Sequence, residues 1–498
     1  MMKNNIKRRE FLRLIGIGSL TLSVSNLFNK AHAGSKQKPI NIVLILADDV
    51  SPDMFGCYGN KEIRTPNIDR MAKEGVMFRT CWASALCSPA RAEIMTGRYA
   101  HRTGVYHNSL QMPQPDGSHD LLKFHHSFAK LLRQAGYATA IAGKWHLGSG
   151  KPYDQNGGFD EYCLWSGLRE ISELPGHPKY NGGMENEDTT SRYWHPGIIQ
   201  NGKLLKTKPD DFGPDIFTNF LCDFIERNKT RPFLAYYPMV APHGTRKGHT
   251  TTPLRGKVGE MERASKKETQ ERFKALVEYV DVLVGRLMKK VEELGLLKNT
   301  IFIFTSDNGT AVTGKSRGVE RGCRVPFVVW GDGIKKRGAT DELTDFSDVF
   351  PTLLDFAGVK IPENYEIDGK SLKPFLTGKT DIHREWIYSV IGTTQLLRTK
   401  HYLLEAVNPM LGVPRGRFYY CGNSRDGKGY KNVTNSNDPE VVKARKYFDE
   451  VLKRFPQLTK DHPYFKTKRG KQFLKVYTDP KAIEKHLHNH PDYRFYEE

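Results

Sequence analysis

The segment CSPARAEIMTGR, residues 87–98, places a cysteine and an arginine one helical turn apart. Ser88 is expected to cap a short helix that begins with Pro89 and ends at Gly97. The free N–H groups and the dipole at such an N-terminus attract anions. Cys87 and Arg91 can therefore share a face on which a tetrahedral oxyanion binds. Taken alone, the motif fits a buried structural cysteine beside a surface arginine equally well.

Acidic and amide side chains follow two predicted buried strands. Asp48 and Asp49 end the run PINIVLILADD, and Asp307 and Asn308 follow the strand in NTIFIFTSDNG. Successive residues of a strand point to opposite faces, so both members of a pair reach one ion only where the strand stops and the chain turns. Two such corners together supply three carboxylates and an amide oxygen, ligands suited to Ca²⁺ or Mg²⁺. Either corner alone is more typical of a solvated turn.

Basic and imidazole side chains follow other predicted strands. Lys144 and His146 are separated by two residues, so in an extended chain they face the same way, while Trp145 packs on the other side. His243 lies in a loop, and Lys315 lies in the glycine-rich stretch GTAVTGKSRG. Each of these residues alone is more typical of a structural or solvated side chain. These residues are predicted to form one site only if the strands before them end at the same edge of the sheet.

The elements that must position these residues alternate between strands and helices. LLKFHHSFAKLLRQAGY and ERFKALVEYVDVLVGRLMKKVEELGLL are predicted to be helical, whereas ATAIAGKWHLG and RPFLAYYPMVAPHG are predicted to be strands that open into loops. This alternation predicts an α/β fold with a mostly parallel central sheet sandwiched by helices. Ligands of such sheets bind outside the carboxyl ends of the strands. Residues 149–215 are predicted to form long irregular substrate loops.

Residues 1–33 are predicted to be an export signal. Arg8 and Arg9 precede the apolar segment LIGIGSLTLSV and a small-residue cleavage site at 31–33, so the mature chain is expected to begin near Gly34. The paired arginines favour the twin-arginine route, and an ordinary secretory signal is the alternative. The export machinery is then a partner, and the protein is expected to be periplasmic or extracellular without stable membrane insertion.

The remainder is predicted to contain a large domain, residues 34–385, and a smaller α+β domain, residues 386–498, with antiparallel strands and a helix. Two biased patches, KTKRGK at 466–471 and HLHNH at 486–490, are expected to be solvated surface.

Seven cysteines are too few for a disulfide scaffold. Cys87 is the candidate reactive one, and the other six are expected to be buried small residues or to include a stray bridge.

The formal net charge of +20 favours a polyanionic partner. No recognition helix, zinc finger or RNA-binding motif is recognisable, so nucleic acid is not the expected partner. An acidic polysaccharide satisfies the same electrostatics, and lysines scattered for solubility are the alternative.

These motifs together resemble the sulfatase family. CSPARAEIMTGR is similar to the signature whose cysteine is oxidised to formylglycine, and the resemblance extends along most of residues 38–410. The other matching stretches follow in the family order: ILADDVSPDMFGCYG, TPNIDRMAKEGVMF, GKWHLG, APHG, FTSDNG, SRGVERGCRVP, DVFPTLLDFAG and IDGKSLKPFLTG. The resemblance implies an alkaline-phosphatase-like fold with residues 34–385 as its catalytic domain. Arg321 and Cys323 depart from the glycine and aliphatic residue common there, which we expect to affect loop packing more than chemistry.

The resemblance also implies the site residues and the cofactors. It implies one divalent cation, usually calcium, with magnesium as the alternative, held by Asp48, Asp49, Cys87 in its modified form, Asp307 and Asn308. It implies that the sulfate and the formylglycine are surrounded by Arg91, Lys144, His146, His243 and Lys315. Among these, the candidates for substrate binding are Arg91, Lys144, His243 and Lys315. A formylglycine-generating maturation enzyme is an implied partner.

Formylglycine explains why a cysteine stands at this helix. A thiolate that attacked sulfur would hold the sulfate as a stable adduct, whereas a hydrated aldehyde has a second hydroxyl that allows release. His243 is the candidate acid for the leaving oxygen, and His146 is expected to support the diol.

Export, basic charge and the aromatic, histidine-rich insertion favour a sulfated carbohydrate as substrate. Two alternatives remain open at this stage. One is a phosphonate monoester or phosphodiester hydrolase of the same superfamily, and the other is a non-catalytic polyanion-binding protein with an unmodified Cys87.

Overall fold

The computed structural model describes residues 39–148, 150–166, 191–244, 248–256, 265–311, 313–478 and 481. The predicted export signal and the HLHNH patch lie outside these ranges. The strands within them are β1 Asn41–Ala47, β2 Val76–Trp82, β3 Val105–His107, β4 Leu110–Gln111, β5 Ala138–Gly143, β6 Glu161–Trp165, β7 Ile198–Gln200, β8 Lys203–Leu204, β9 Phe233–Pro238, β10 Thr300–Ser306, β11 Arg324–Gly331, β12 Gly338–Asp345, β13 Trp386–Ile391, β14 Thr394–Thr399, β15 Tyr402–Val407, β16 Arg417–Tyr420 and β17 Lys431–Asn432.

The helices in the same ranges are α1 Pro66–Glu74, α2 Cys87–Thr96, α3 Ala100–Thr103, α4 Phe128–Gln134, α5 Gly213–Arg227, α6 Lys266–Glu293, α7 Glu320–Cys323, α8 Val349–Ala357, α9 Lys373–Leu376, α10 Pro439–Leu452 and α11 Lys468–Thr478. No helix of the described ranges is long and apolar enough to cross a membrane.

Ten strands form the central sheet in the order β12-β2-β11-β10-β1-β9-β5-β6-β7-β8. The neighbours β10, β1, β9, β5 and β6 run parallel, whereas β11 and β7 run antiparallel to the strands beside them. A mostly parallel sheet is therefore confirmed. Its parallel strands bring their carboxyl ends to one edge, which is where the sequence predicts the site.

Strand β1 is buried on both faces, as its aliphatic run predicts. Val43 and Ile45 pack with the apolar side chains of α1, α5 and α6. Ile42 and Leu44 pack instead with those of α2, α4 and α8. Each side of the sheet thus has its own helical layer and its own core, and the alternating side chains of one strand contribute to both.

Three local predictions are wrong. Helix α2 begins at Cys87 and its N-cap is Leu86, so Ser88 is not the cap; the Ser88 hydroxyl instead donates to the His146 carbonyl at 3.2 Å. The predicted helix over 121–137 is only α4, because the Ser127 hydroxyl accepts from the Lys130 N–H and starts the helix there. Residues 149–215 are not irregular throughout, because β6, β7 and β8 extend the sheet.

A second, five-stranded antiparallel sheet, β13 to β17, begins at Trp386, and helix α10 follows that sheet. Both are predicted features of the smaller domain, although the division at residues 385 and 386 stays a prediction.

The seven cysteines all lie in described residues and none forms a disulfide; six are buried and Cys57 is partly buried. Arg321 is exposed beside Asp53, whereas Cys323 is buried.

Candidate active site

Backbone hydrogen bonds align the ends of four neighbouring strands. The Asp48 N–H donates to the Ala241 carbonyl and the Asp307 N–H to the Ala47 carbonyl, both at 3.0 Å. The Lys144 N–H donates to the Pro238 carbonyl at 2.7 Å. These bonds continue the sheet ladder past β1, β10, β5 and β9. The residues that follow each strand therefore lie side by side at the carboxyl edge.

The chain turns at Asp49, which has a left-handed φ of 67°. This turn is the condition under which Asp48 and Asp49 can face one point. Ligand atoms of Asp48, Asp49, Cys87 and Asp307 all lie within 4.8 Å of one another, and all four residues are buried. The Cys87 Sγ lies 3.8 Å from a carboxylate oxygen of each of the first two. The two acid-bearing corners and the cysteine therefore form one cluster.

Three buried or nearly buried cations pair with these carboxylates. Arg91 donates to Asp307 Oδ2 at 2.8 Å, and Lys144 Nζ donates to Asp48 Oδ2 at 2.7 Å. Lys144 Nζ also lies 3.7 Å from the Cys87 Sγ. Lys315 Nζ donates to Asp49 Oδ2 at 2.7 Å. Cys87 thus lies close to both carboxylates and cations, a combination that can hold a metal ion and stabilise an oxyanion side by side.

The protonation of the acids follows from burial and these cations. Burial disfavours the charged form of Asp48, but Lys144 and the other nearby cations outweigh it and hold the pKa of Asp48 well below its usual range. Burial and the charge of Asp48 raise the pKa of Asp307 to about 6. Burial and the charge of Asp307 raise the pKa of the Cys87 thiol to about 12. The thiol is therefore neutral at pH 7 and a weak nucleophile.

The two candidate histidines lie differently. His243 is largely buried, with its Nε2 3.1 Å from Lys315 Nζ and 3.4 Å from Asp49 Oδ2. His146 has a left-handed φ of 52° and an exposed side chain. The extended geometry predicted for residues 144–146 is therefore wrong, since the backbone becomes left-handed at His146. Trp145 packs against the core, as predicted.

Two residues that lie beside the site were not predicted from the sequence. Arg192 is buried, with its Nη1 3.9 Å from Asp48 Oδ2 and its guanidinium 4.2 Å from the centre of the Trp165 ring. His249 lies against Gly244, next to His243; burial lowers the pKa of His249 to about 4. Neither residue belongs to a recognisable motif. For Arg192 the one signal was its place in residues 149–215, which are predicted to be substrate loops, whereas the sequence offers no such signal for His249.

Hydroxyl groups fix the two acid-bearing corners to each other. The Ser51 N–H donates to Thr310 Oγ1 at 3.0 Å, and the Thr310 N–H donates back to Ser51 Oγ at 2.8 Å. The Val50 N–H donates to Ser306 Oγ at 3.1 Å. Because these bonds join residues more than 250 positions apart, they hold the ends of β1 and β10 in register.

The donor set fits a hard divalent cation. Asn308 Nδ2 donates to Asp49 Oδ1 at 2.7 Å, whereas Asn308 Oδ1 is buried and has no hydrogen-bond partner among the described residues. A buried amide oxygen without a donor is costly, and a cation is the group that would satisfy it beside three carboxylates. Zinc would favour more imidazole or thiolate ligands than this cluster offers.

The family models match most of the chain. The model described as Sulfatase matches residues 40–359, and the model described as N-sulphoglucosamine sulphohydrolase, C-terminal, matches residues 315–405. Both cover candidate site residues.

Curated relatives and a solved structure agree with these models. N-acetylgalactosamine-6-sulfatase from Rattus norvegicus is 31% identical over 402 residues, covering 74% of this chain and 71% of that protein. N-acetylglucosamine-6-O-sulfatase from Bacteroides thetaiotaomicron is 28% identical over 459 residues, covering 73% and 75%. The structure of Ps i-CgsB in complex with k-i-k-neocarrahexaose superposes with a TM-score of 0.67 at 24% identity, covering 90% and 99%. The chain belongs to the sulfatase family and is a sulfatase, an enzyme that hydrolyses sulfuric esters.

Proposed function

We propose that this sulfatase releases inorganic sulfate from a sulfated carbohydrate, using formylglycine made from Cys87 and one divalent cation, Ca²⁺. The observation that carries the proposal is the convergence of Cys87, three acids and three cations at the carboxyl edge of the sheet. The positive groups balance charge on a sulfuryl group, while the acids and Asn308 hold the cation. Outside such a site, burying so many charges together is unfavourable.

The state of Cys87 supports the modification. Its thiol is 1% exposed and its raised pKa leaves it neutral, so the unmodified side chain is a poor nucleophile in this position. Hydrated formylglycine would supply one hydroxyl that attacks sulfur and a second whose deprotonation expels sulfate. Lys144 Nζ, 3.7 Å from the residue 87 side chain, is placed to stabilise negative charge there.

Binding of the sulfuryl group is assigned to cations that already have fixed positions. Arg91 is held by Asp307 and also donates to the Lys144 carbonyl at 2.8 Å. Lys315 is held between Asp49 and His243. Because these groups are oriented before substrate arrives, they stabilise the transition state with little reorganisation.

The names of relatives support a carbohydrate as the sulfated partner. Both reported relatives are named as amino-sugar 6-sulfatases, and the structural neighbour was solved with an oligosaccharide. Most of the net charge of +20 lies outside the predicted export signal, and it is complementary to an acidic saccharide. We further propose periplasmic or extracellular action after export and maturation by a formylglycine-generating enzyme, as the sequence predicts.

Sulfate release tests the proposed function directly. The enzyme, produced with a formylglycine-generating enzyme, is expected to release sulfate from at least one member of a panel of sulfated mono- and oligosaccharides, measured by ion chromatography. An aryl sulfate and an aryl phosphonate monoester serve as comparison substrates. Faster turnover of the phosphonate than of every sulfate would favour the phosphonate-hydrolase alternative. Absence of turnover with mass-verified formylglycine would favour a polyanion-binding protein.

His243 is proposed to deliver the proton to the leaving oxygen. Burial and the charge of Arg192 hold the pKa of His243 well below its ordinary value, although Asp48 opposes them, so its ring is neutral. His243 Nδ1 faces the Gly244 carbonyl at 2.6 Å, which leaves Nε2 toward Lys315 Nζ. In the neutral ring Nε2 is therefore unprotonated and accepts from Lys315, whose own pKa is raised. His243 acts as the acid after Nε2 takes up a proton from solvent, which the negative charge of a bound sulfate ester favours, and His146 is proposed to support the diol.

The substitution His243→Ala is expected to slow hydrolysis of poor leaving groups by about 10³-fold but of nitrophenyl sulfate by only about tenfold, because good leaving groups need little protonation. The measurement is kcat/KM across aryl and carbohydrate sulfates of graded leaving-group pKa. His249→Ala is the matched control, since it removes a neighbouring buried imidazole. Equal losses on good and poor leaving groups would show that His243 is not the acid.

A further inference from the structure

Helix α11 begins within the basic patch 466–471, which was predicted to be solvated surface, and contains its residues 468–471. Gly470 is buried, and Phe473 is partly buried with its ring centre 6.0 Å from that of His107. Lys468, Lys471 and Lys475 are exposed and lie along the opposite side of the helix, at the i, i+3, i+7 spacing of one face. The patch is thus a docked helix that presents a row of lysines.

Within the described ranges, no nearby acid neutralises these lysines. Lys466, Lys468, Lys471 and Lys475 form no ion pair with any carboxylate of the described ranges. The α11 sequence KRGKQFLKVYT contains no acidic residue. A row of like charges is unfavourable by itself, and an anionic ligand would relieve that repulsion.

Helix α11 is connected to the active site through two short segments. The first is the β3–β4 hairpin, in which His107 contacts Phe473 and the next residue, Asn108, accepts from the Ser88 N–H at 3.1 Å. Ser88 directly follows Cys87 in helix α2. The hairpin therefore connects the N-terminus of helix α2, where Cys87 lies, to helix α11.

The second connection runs through His119. Arg469 Nη1 lies 3.0 Å from His119 Nε2. The His119 carbonyl packs against Gly148, where a Cβ would stand only 2.4 Å from that oxygen. Gly148 is two residues beyond His146, whose side chain is exposed. The contacts from His146 past His119 to α11 thus bring imidazole and basic groups together, with the carboxylate of Asp120 beside His119.

We propose that the lysine face of α11 binds the anionic chain of the sulfated carbohydrate beyond the sugar that occupies the active site. The inference rests on the proposed function, because it assigns a second contact to the same substrate. It predicts that the enzyme distinguishes a sulfated oligosaccharide from a small sulfate ester through charge on α11. The active-site residues alone would treat the two as equivalent sulfuryl groups.

The test compares two triple charge reversals in a Cys87→Ala background. The first is Lys468→Glu, Lys471→Glu and Lys475→Glu. The control, Lys229→Glu, Lys289→Glu and Lys298→Glu, makes the same change in net charge. Lys229 and Lys298 are exposed just before β9 and β10, at the edge of the sheet opposite the site, and Lys289 is exposed on α6. The probe is a chondroitin-6-sulfate hexasaccharide, measured by calorimetry at low and high salt.

The α11 variant is expected to bind the hexasaccharide about tenfold more weakly than the control at low salt, with the difference shrinking at high salt. In the formylglycine-bearing enzyme, the same three substitutions are expected to leave aryl sulfate turnover unchanged, which also shows that the variant is folded. Any of three results would overturn the proposal. Hexasaccharide binding could be weakened equally in both triple variants, it could be unchanged in the α11 variant, or the Cys87→Ala chain without further substitutions could fail to bind the hexasaccharide. Hexasaccharide binding through α11 without any sulfate release would instead contradict the proposed function alone.

Discussion

Replacing Cys87 by alanine is expected to lower sulfate release on the order of 10⁵-fold while leaving the fold intact. The side chain is small, and the polar atoms that its Sγ approaches in the described residues, those of Lys144, Asp48 and Asp49, are 3.7 to 3.8 Å away. Little packing is therefore lost, whereas the group proposed to attack sulfur is removed. Activity is measured as sulfate release, and the fold is checked by the thermal unfolding midpoint.

Mass spectrometry of the peptide that contains residue 87 gives the second part of this test. Active enzyme is expected to carry formylglycine at residue 87, and enzyme made without the maturation enzyme is expected to carry cysteine and to be inactive. Cys81→Ala is the matched control, because it removes another buried thiol, one whose contact is the Trp82 carbonyl. Full activity of a chain with an unmodified Cys87 would contradict the assignment of the nucleophile.

The convergence of the site could be predicted because it depends on local patterns and one rule of topology. The aliphatic runs before Asp48 and Asp307 specify buried strands, and parallel strands end at a common edge. Even the turn at Asp49 follows from the requirement that adjacent carboxylates face one point. Nothing in that reasoning needs knowledge of which distant segments pack together.

The missed features depend on such distant packing. Arg192 reaches the site because β6 and β7 extend the sheet beside β5, and Arg192, six residues before β7, lies near Asp48. The N-cap of α2 could not be predicted, because the Ser88 hydroxyl does not cap the helix but donates to the His146 carbonyl in the chain after β5. Side-chain hydrogen bonds between segments compete with local capping preferences, and the sequence alone does not reveal which one prevails.

The second sheet has a structural connection to the active site that no motif indicated. Arg398, on β14, is fully buried and pairs with Glu320 at 2.6 Å. On β15, Glu405 accepts from the Glu320 N–H at 2.8 Å, and the Ala406 N–H donates to the Gly318 carbonyl at 2.9 Å. These bonds hold the segment that follows Lys315.

The same segment is anchored on its other side. The Ser316 N–H donates to the Ala85 carbonyl at 2.7 Å, and Ala85 lies two residues before Cys87. Lys315 is therefore positioned between the nucleophile helix and the antiparallel sheet. The sequence identified the lysine, but its position depends on strands some 80 residues later in the chain.

Asp307→Asn is expected to reduce sulfate release by about 10³-fold and also to reduce cation binding. Asp307 Oδ2 accepts from Arg91 at 2.8 Å, and its Oδ1 accepts from the Asp49 N–H at 3.1 Å. Asparagine keeps nearly the same volume but removes the charge. The change therefore weakens the cation site and leaves the buried Arg91 without its 2.8 Å carboxylate partner.

Metal content by elemental analysis and the calcium dependence of the unfolding midpoint separate the two consequences. The natural enzyme is expected to gain stability with added Ca²⁺, because a ligand that binds only the folded state shifts the unfolding equilibrium. The Asp307→Asn enzyme is expected to lose most of that calcium-dependent gain. It is also expected to be less stable than the natural enzyme without calcium, because its buried Arg91 has lost its carboxylate partner. The control is Asp53→Asn, whose carboxylate is 53% exposed. An Asp307→Asn enzyme that kept both its calcium-dependent stabilisation and its activity would mean that the cluster at the strand ends is a network of ion pairs and does not hold a cation.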